Sequence, residues 1–524
     1  DTGTAKYQDN NALIKKSTLM VTGKMPPPSA PIETGKIEFI DSGQINVIEK
    51  INTSGIPIPE NENPDFDIKI SLCKDGYSTV VPMGILDFEN NYENAFFAFE
   101  YTLSSNDIDQ LTLEIIDEND KIIYGYIENY IPEVIIPIGK KENVRTSLEK
   151  GLKEFLKREG KPSRIWEWME VYRDFNIPKD DSQKPGHYIL FWDGFDDEGI
   201  YDSSIFDKKT FRARLTGIKG KKKKTAEVSF RTEYAEVNWV DVRIDQNNKR
   251  IDTTLRVDLK DGGAEGLSCG SKTVRKSDYE EAAQRMGVQN PIKEDFTLTF
   301  CDWYKVPQEA IEEYQKEPIK ERTKSFEELR DMALEGINKH WSRHAGNIGG
   351  GIPIGEDFYE VFVNAEQNEK GMVAPRIIYF TNSENNNLNR SHNWFLSRKL
   401  FYKVGYTYYN NWKEYPINSE LYKAKGWKYT YEINTLLYFQ ETSAHEIGHK
   451  LLEDYGGKTY SYKHKGSSTW GQSPLKGTTY PKTGEIDLMK YADEDSLPED
   501  FYERVVLSKE DVIGILWLSK IKVK

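Results

Sequence analysis

From about Gly35 to Gly139 the apolar positions come in short alternating runs, Ile37 to Ile40, Asp67 to Leu72, Ala95 to Tyr101 and Leu111 to Ile116. Clusters of Asn, Asp, Gly and Pro separate them. A period of two turns one side of each run toward a core, and turn residues at this rhythm predict an antiparallel sandwich. A second set follows: Tyr188 to Trp192, Phe211 to Ile218, Thr225 to Thr232, Val237 to Ile244 and Thr253 to Asp258, closed by the turn signal Asp261, Gly262, Gly263. Between the sets, Leu148, Leu152, Phe155 and Leu156 recur at helical spacing and predict a connecting helix.

Beyond Gly266 the period lengthens. Helical patterns run over Asp278 to Met286 and then Pro307 to Trp341, where Leu329, Met332, Ala333 and Ile337 fall on one face. Phe358 to Val363 and Arg376 to Phe380 read as strands. The expected organisation is a flexible arm with a Pro-rich linker over 1–34, a β-sandwich-like module over 35–140, and a connecting helix over 141–160. A second β-rich module over 161–265 and an α+β domain over 266–524 complete it. The fold class expected is therefore two β-rich modules followed by an α+β domain.

Charge and composition narrow the function classes. A net charge of -14 argues against a sequence-independent grip on nucleic acid, which draws on clustered Lys and Arg. The exception, Lys219 to Lys224 with Gly220, reads as a solvated hairpin tip. No apolar run is long enough to span a bilayer. Cys73, Cys269 and Cys301 give no disulfide framework, and only Cys269 with Cys301 is a conceivable pair. Asp1 to Lys16 lack the charged start and apolar stretch of a signal peptide, so that segment is already removed or export uses another route.

The sharp chemical motif lies near the C-terminus. Ala444, His445, Glu446, Ile447, Gly448, His449 spells HExxH within a helical stretch. Residues four apart share a helix face, so two imidazoles can converge on one zinc ion while Glu446 serves as general base toward an activated water. Chance would produce the pattern in on the order of one in a hundred such chains. Three of the 7 histidines fall between 445 and 464, as a metal site needs. The helix should stop at Gly456 and Gly457, and Lys458 to Tyr462 should return as an extended segment that delivers His464 as third ligand. Glu485 is the alternative third ligand, with Asp487 behind it. His340 and His344, four apart with no Glu after the first, read as structural packing or a helix-end charge; His392, next to Asn393 and Trp394, lines either the cleft or a loop, and His187 lies in a β module unrelated to the site.

On these residues the region 433–524 resembles zincin metallopeptidases, and more narrowly the metzincin branch. Asp487, Leu488, Met489, Lys490, Tyr491 resembles the Met-turn of that branch. The short metzincin pattern is broken, because Leu452 and Tyr455 stand where Gly and a third ligand would fall. The resemblance implies a zincin-like fold for 266–524, Met489 as the floor of a zinc site, and Tyr491 as support for the oxyanion. The helix, the His-Lys-Gly-Ser segment and the GEIDLM turn are also similar to metallopeptidase effectors of bacterial type VI secretion. That narrower likeness implies delivery outside the producing cell, as an effector or toxin, with a secretion-apparatus spike and an inhibitor or immunity protein as partners.

The function expected is zinc-dependent hydrolysis of peptide bonds in a peptide or protein substrate. Two alternatives stand beside it: a β-domain binding or adhesion protein with an inactive zincin domain, and a peptidase acting on cell-wall peptide crosslinks.

Overall fold

The computed structural model describes residues 66–127, 135–137, 183–287, 293–383, 391–410, 426–430 and 434–524, with short gaps at 74–76, 86, 90, 92, 355–356, 395–396, 463–464, 468–473 and 495. Four short strands before residue 39 are described in their backbone. Two compact units result, Asp1–Asn63 and Pro64–Lys524.

In the first unit Thr18–Gly23 pairs antiparallel with Glu33–Glu38. Thr18, Leu19, Met20 and Val21 favour this strand, and the hairpin spans residues on both sides of the boundary expected at 34/35. The prolines at 26–28 and 31, and the connecting helix expected over 141–160, lie outside the described residues.

The second unit is β-rich, and this overturns the expected fold class. Six α-helices stand among the described residues against many strands, so the α+β zincin-like domain anticipated for 266–524 is not what the chain forms. Sheets ignore the expected module boundaries. One six-stranded sheet runs Thr79–Val80, Ile521–Val523, Lys222–Tyr234, Lys209–Lys219, Gln110–Ile116, Ile122–Ile127, so the last strand of the chain closes a sheet begun some 440 residues earlier. A second sheet joins Arg250–Asp258 in parallel to Asp357–Gln367. Alternation fixes which side of a strand is buried, but the backbone partner is chosen by whatever edge the folded core presents.

A four-stranded sheet, Ile135–Pro137, Gly186–Trp192, Phe97–Ser104 and Asp67–Leu72, shares a core with the first six-stranded sheet. Phe97 lies 4.8 Å from Trp192 and 5.2 Å from Phe206 between ring centres. Full burial of each such ring stabilises by roughly 1.5–3 kcal/mol. The hairpin predicted around Lys219–Lys224 is present, with Lys219 opposite Lys222 and Gly220 at φ +56° making the turn.

One local expectation needs correction. Asp261–Glu265 is a strand, not a turn; it pairs in parallel with Arg376–Ser383. Gly262 permits this, since a Cβ there would sit 2.7 Å from Ile378. Asp357–Gln367 pairs through Glu360–Gln367 with Arg250–Val257 and through Asp357–Tyr359 with Ile352–Ile354.

Helices pack on the sheet Asp261–Glu265, Arg376–Ser383, Ser397–Asn410, His392–Trp394. Phe326–Trp341 starts at a capping box between Ser325 and Glu328, and its predicted stripe of Leu329, Met332, Ala333 and Ile337 is buried. The long helix Thr435–Tyr462 lies against it; Gly336 makes the close approach possible, since a Cβ there would be 2.2 Å from the Gln440 carbonyl. Among the described residues no helix is long and apolar enough to cross a membrane.

Candidate metal centre

The helix Thr435–Tyr462 carries His445, Glu446 and His449, all buried at 5 or 6 % exposure. Trp341 Nε1 donates to the Ala444 carbonyl at 3.2 Å and Asn393 Nδ2 to the Glu446 carbonyl at 2.8 Å, so a neighbouring helix and a short strand both hold the motif in place. Asn393 carried no signal in the sequence, because its role depends on a strand 53 residues upstream of Glu446.

The imidazoles of His445 and His449 lie 5.2 Å apart and perpendicular. His445 Nδ1 is 2.8 Å from the Leu488 carbonyl and His449 Nδ1 is 2.8 Å from the Ser461 carbonyl. A carbonyl only accepts, so each Nδ1 carries the proton and Nε2 is the basic nitrogen of the neutral ring. Backbone anchoring of Nδ1 is what orients a metal-ligating histidine.

At Gly457 the helix breaks, with φ +80° and ψ 170°. The chain reverses there as expected, but residues 458–462 form a further helical turn instead of an extended segment. That turn brings Ser461 against His449, to which it also returns a hydrogen bond from Oγ to the main-chain carbonyl at 2.7 Å. His464 lies outside the described residues.

Leu488 and Met489 sit beneath the helix. Asp487 Oδ1 accepts from Met489 N at 2.9 Å, and its carbonyl accepts from Lys490 N at 3.0 Å, which closes a tight turn. Met489 is 1 % exposed. Its sulfur comes within 2.9 Å of where a Gly448 Cβ would stand. Tyr491 follows, its ring stacked on His445 at 5.4 Å and its hydroxyl 3.4 Å from His445 Nε2.

Glu485 is held elsewhere. It pairs at 2.5 Å with Arg343, a fully buried guanidinium that also donates to the Leu507 and Gly349 carbonyls. Asp487 pairs with Lys465 Nζ at 2.6 Å. Among the described residues no three His, Cys, Asp or Glu side chains come together as a metal-binding group.

Lys465 joins the parts around the motif. Its Nζ also reaches Asp511 Oδ2 at 2.9 Å and Ser508 Oγ at 2.7 Å, while its carbonyl accepts from Tyr491 N at 3.2 Å. Asp511 is fully buried in the first turn of the C-terminal helix Lys509–Leu518, whose N-cap is Ser508, and accepts from Ser508 Oγ at 2.9 Å and from Tyr460 Oη at 2.6 Å. Burial works against the ammonium of Lys465, yet the Asp511 and Asp487 carboxylates outweigh it and raise its pKa. One turn before His445, burial pushes the Glu441 carboxyl up to about 7. Burial, with Glu441 adding to it, pushes the Tyr480 phenol up to about 12.

The remaining histidines are built into the fold. His340 is fully buried with Nδ1 on the Val505 carbonyl at 2.8 Å, and His344 stacks on Phe362 at 4.7 Å. His392 Nε2 meets Ser397 Oγ at 2.8 Å beside Asn393, and His187 Nδ1 meets Thr102 Oγ1 at 3.0 Å. Cys269 and Cys301 are bonded to each other, and Cys73 is buried apart from them.

No protein-family model matches the chain, and no curated protein matches it in sequence.

Proposed function

We propose that the chain is a zinc-dependent metallopeptidase. The observation that carries this is the matched anchoring of His445 and His449, each with Nδ1 on a backbone carbonyl and with Glu446 buried between them in sequence. Those residues suit zinc, since neutral imidazole is a preferred ligand and the carbonyls fix the required tautomer. His445 and His449 would hold the ion, with His464, the neighbour of the well-anchored Lys465, as third ligand. Zinc at such a site supplies Lewis-acid activation of water and polarisation of the scissile carbonyl.

The protein's own residues account for the rest of the hydrolysis. The Glu446 carboxylate accepts the proton of the attacking water and delivers it to the amide nitrogen as the C–N bond breaks. The Tyr491 hydroxyl, stacked over His445, donates to the oxygen that gains charge. Met489 gives the motif a packed apolar floor. The substrate is a peptide or protein, with cell-wall peptide crosslinks a narrower option within the same chemistry. The Cys269–Cys301 disulfide supports work in an oxidising compartment outside the producing cell, as a secreted effector or toxin would need. A spike protein and an immunity protein are the partners proposed with that role.

A second reading, a binding protein whose HExxH is inert, is favoured by one feature. The hairpin Cys269–Val274 with Phe296–Cys301 exposes Phe296, Leu298 and Phe300 along one face. Elemental analysis of the purified chain, with Glu446→Gln and His445→Ala beside it, separates the two. One zinc per chain, lost in His445→Ala, together with cleavage of unfolded protein that Glu446→Gln abolishes, supports the peptidase. A zinc-free chain after reconstitution sinks it.

A further inference from the structure

The C-terminal helix Lys509–Leu518 packs against the helix Thr435–Tyr462 and brings to it a carboxylate that the proposed hydrolysis does not use. The two helices meet closely at Gly514, where a Cβ would stand 2.6 Å from the Tyr455 ring. Residues three apart share a helix face, so Asp511 lies on the same contact. Both of its oxygens are taken. Oδ1 accepts from Tyr460 Oη at 2.6 Å, and Oδ2 accepts from Lys465 Nζ and from Ser508 Oγ, each at 2.9 Å.

Tyr460 and Lys465 come from outside the C-terminal helix, and each leads to a histidine of the motif. Ser461, next to Tyr460, receives His449 Nδ1 on its carbonyl at 2.8 Å and returns Oγ to the His449 carbonyl at 2.7 Å. The Lys465 carbonyl accepts from Tyr491 N at 3.2 Å, and the Tyr491 ring stacks on His445. Gly466 lets these two main chains run so close: it sits at φ +96°, and a Cβ there would be 2.6 Å from the Tyr491 carbonyl oxygen. Burying a carboxylate is costly, and apolar side chains of similar volume often stabilise a core as well. What the carboxylate adds is direction, because it fixes the donors that reach it.

We propose, on the reading of the site as a zinc peptidase, that Asp511 is a positioning residue of the metal centre. By tying down Tyr460 it keeps Ser461 on His449, so that Nδ1 stays on the carbonyl and Nε2 faces the ion. By tying down Lys465 it keeps Tyr491 stacked over His445. Asp511 itself touches neither metal nor substrate.

Two readouts on the full chain test this: zinc affinity by competition with a chelator, and solvent exchange of the His449 Nδ1 proton by NMR of the zinc-free chain. Tyr460→Phe keeps the ring against Phe88 and removes only the bond to Asp511. Groups that orient a metal-bound histidine contribute about 10- to 100-fold in metal affinity. Tyr460 acts one step further out, so Tyr460→Phe is expected to weaken zinc binding about tenfold, the lower end of that range, and to speed exchange of the proton. Asp511→Asn should weaken zinc binding further. Phe97→Leu, which thins the aromatic core around Trp192, serves as control: it should lower the unfolding temperature and move neither readout. Either readout unchanged in Tyr460→Phe overturns the proposal, as does an equal loss of zinc affinity in Phe97→Leu, and both leave the peptidase reading standing. A wild-type chain that takes up no zinc overturns that reading and this proposal with it.

Discussion

Met489 Sδ lies 2.9 Å from the position that a Cβ on Gly448 would take, so the glycine inside the HExxH motif is the space in which the methionine sits. Adding a methyl there should help the helix by up to about 1 kcal/mol through backbone entropy. Overpacking against a 1 % exposed sulfur costs about 1–3 kcal/mol. Gly448→Ala is thus expected to lower unfolding free energy by about 1 kcal/mol. Urea denaturation of Gly448→Ala, Met489→Ala and the double variant checks it: the double must lose less than the sum of the singles, because removing the sulfur removes the clash.

Glu446→Gln replaces the carboxylate that takes the proton while preserving shape. The expected loss in kcat is about 10²- to 10⁴-fold, with zinc content unchanged. Activity within a few fold of wild type would dismiss Glu446 as the base.

Lys465→Met should be among the more damaging single changes near the site. It leaves the fully buried Asp511 and the Asp487 carboxylate facing each other without their shared cation. Because Lys465 is itself one-third exposed, the cost falls at the lower end of that for breaking a buried pair, about 3 kcal/mol. Adding Asp511→Asn should recover part of it, as seen in denaturant midpoints; a fully additive double variant would deny the coupling.

Stability should fall in mild acid through His340. Burial holds the ring's pKa down, to about 4 from the usual 6.5. Above pH 6.5 neither folded nor unfolded chain binds the proton, and the contribution of the neutral ring is complete. Between 6.5 and about 4 the unfolded chain takes up a proton that the buried ring refuses, so stability declines by about 3 kcal/mol in total and then levels. Unfolding free energies measured from pH 7 to 4 should show a shallower decline in His340→Gln than in wild type. Equal slopes would place the acid sensitivity elsewhere.

Much of the local structure is legible without coordinates. The alternation in Asp67 to Leu72, the Lys-rich hairpin tip, the capped stripe from Leu329 to Ile337 and the HExxH face each follow from a period and a terminator within a dozen residues. Those signals are short-ranged, and so are the forces behind them: side-chain burial on one face, a capping hydroxyl, a glycine at positive φ.

The sequence by itself determined which residues could form a metal-binding face and roughly where strands and helices run. Only the tertiary structure decided their partners. It closed a sheet with Ile521–Val523, set Asn393 on the Glu446 carbonyl, paired Glu485 with Arg343, and replaced the expected α+β domain with β-rich sheets. Local periodicity cannot specify these, because which edge, carbonyl or charge is nearest depends on how the whole core packs, and an open strand edge or a buried guanidinium takes the group that satisfies it wherever that group lies in the chain.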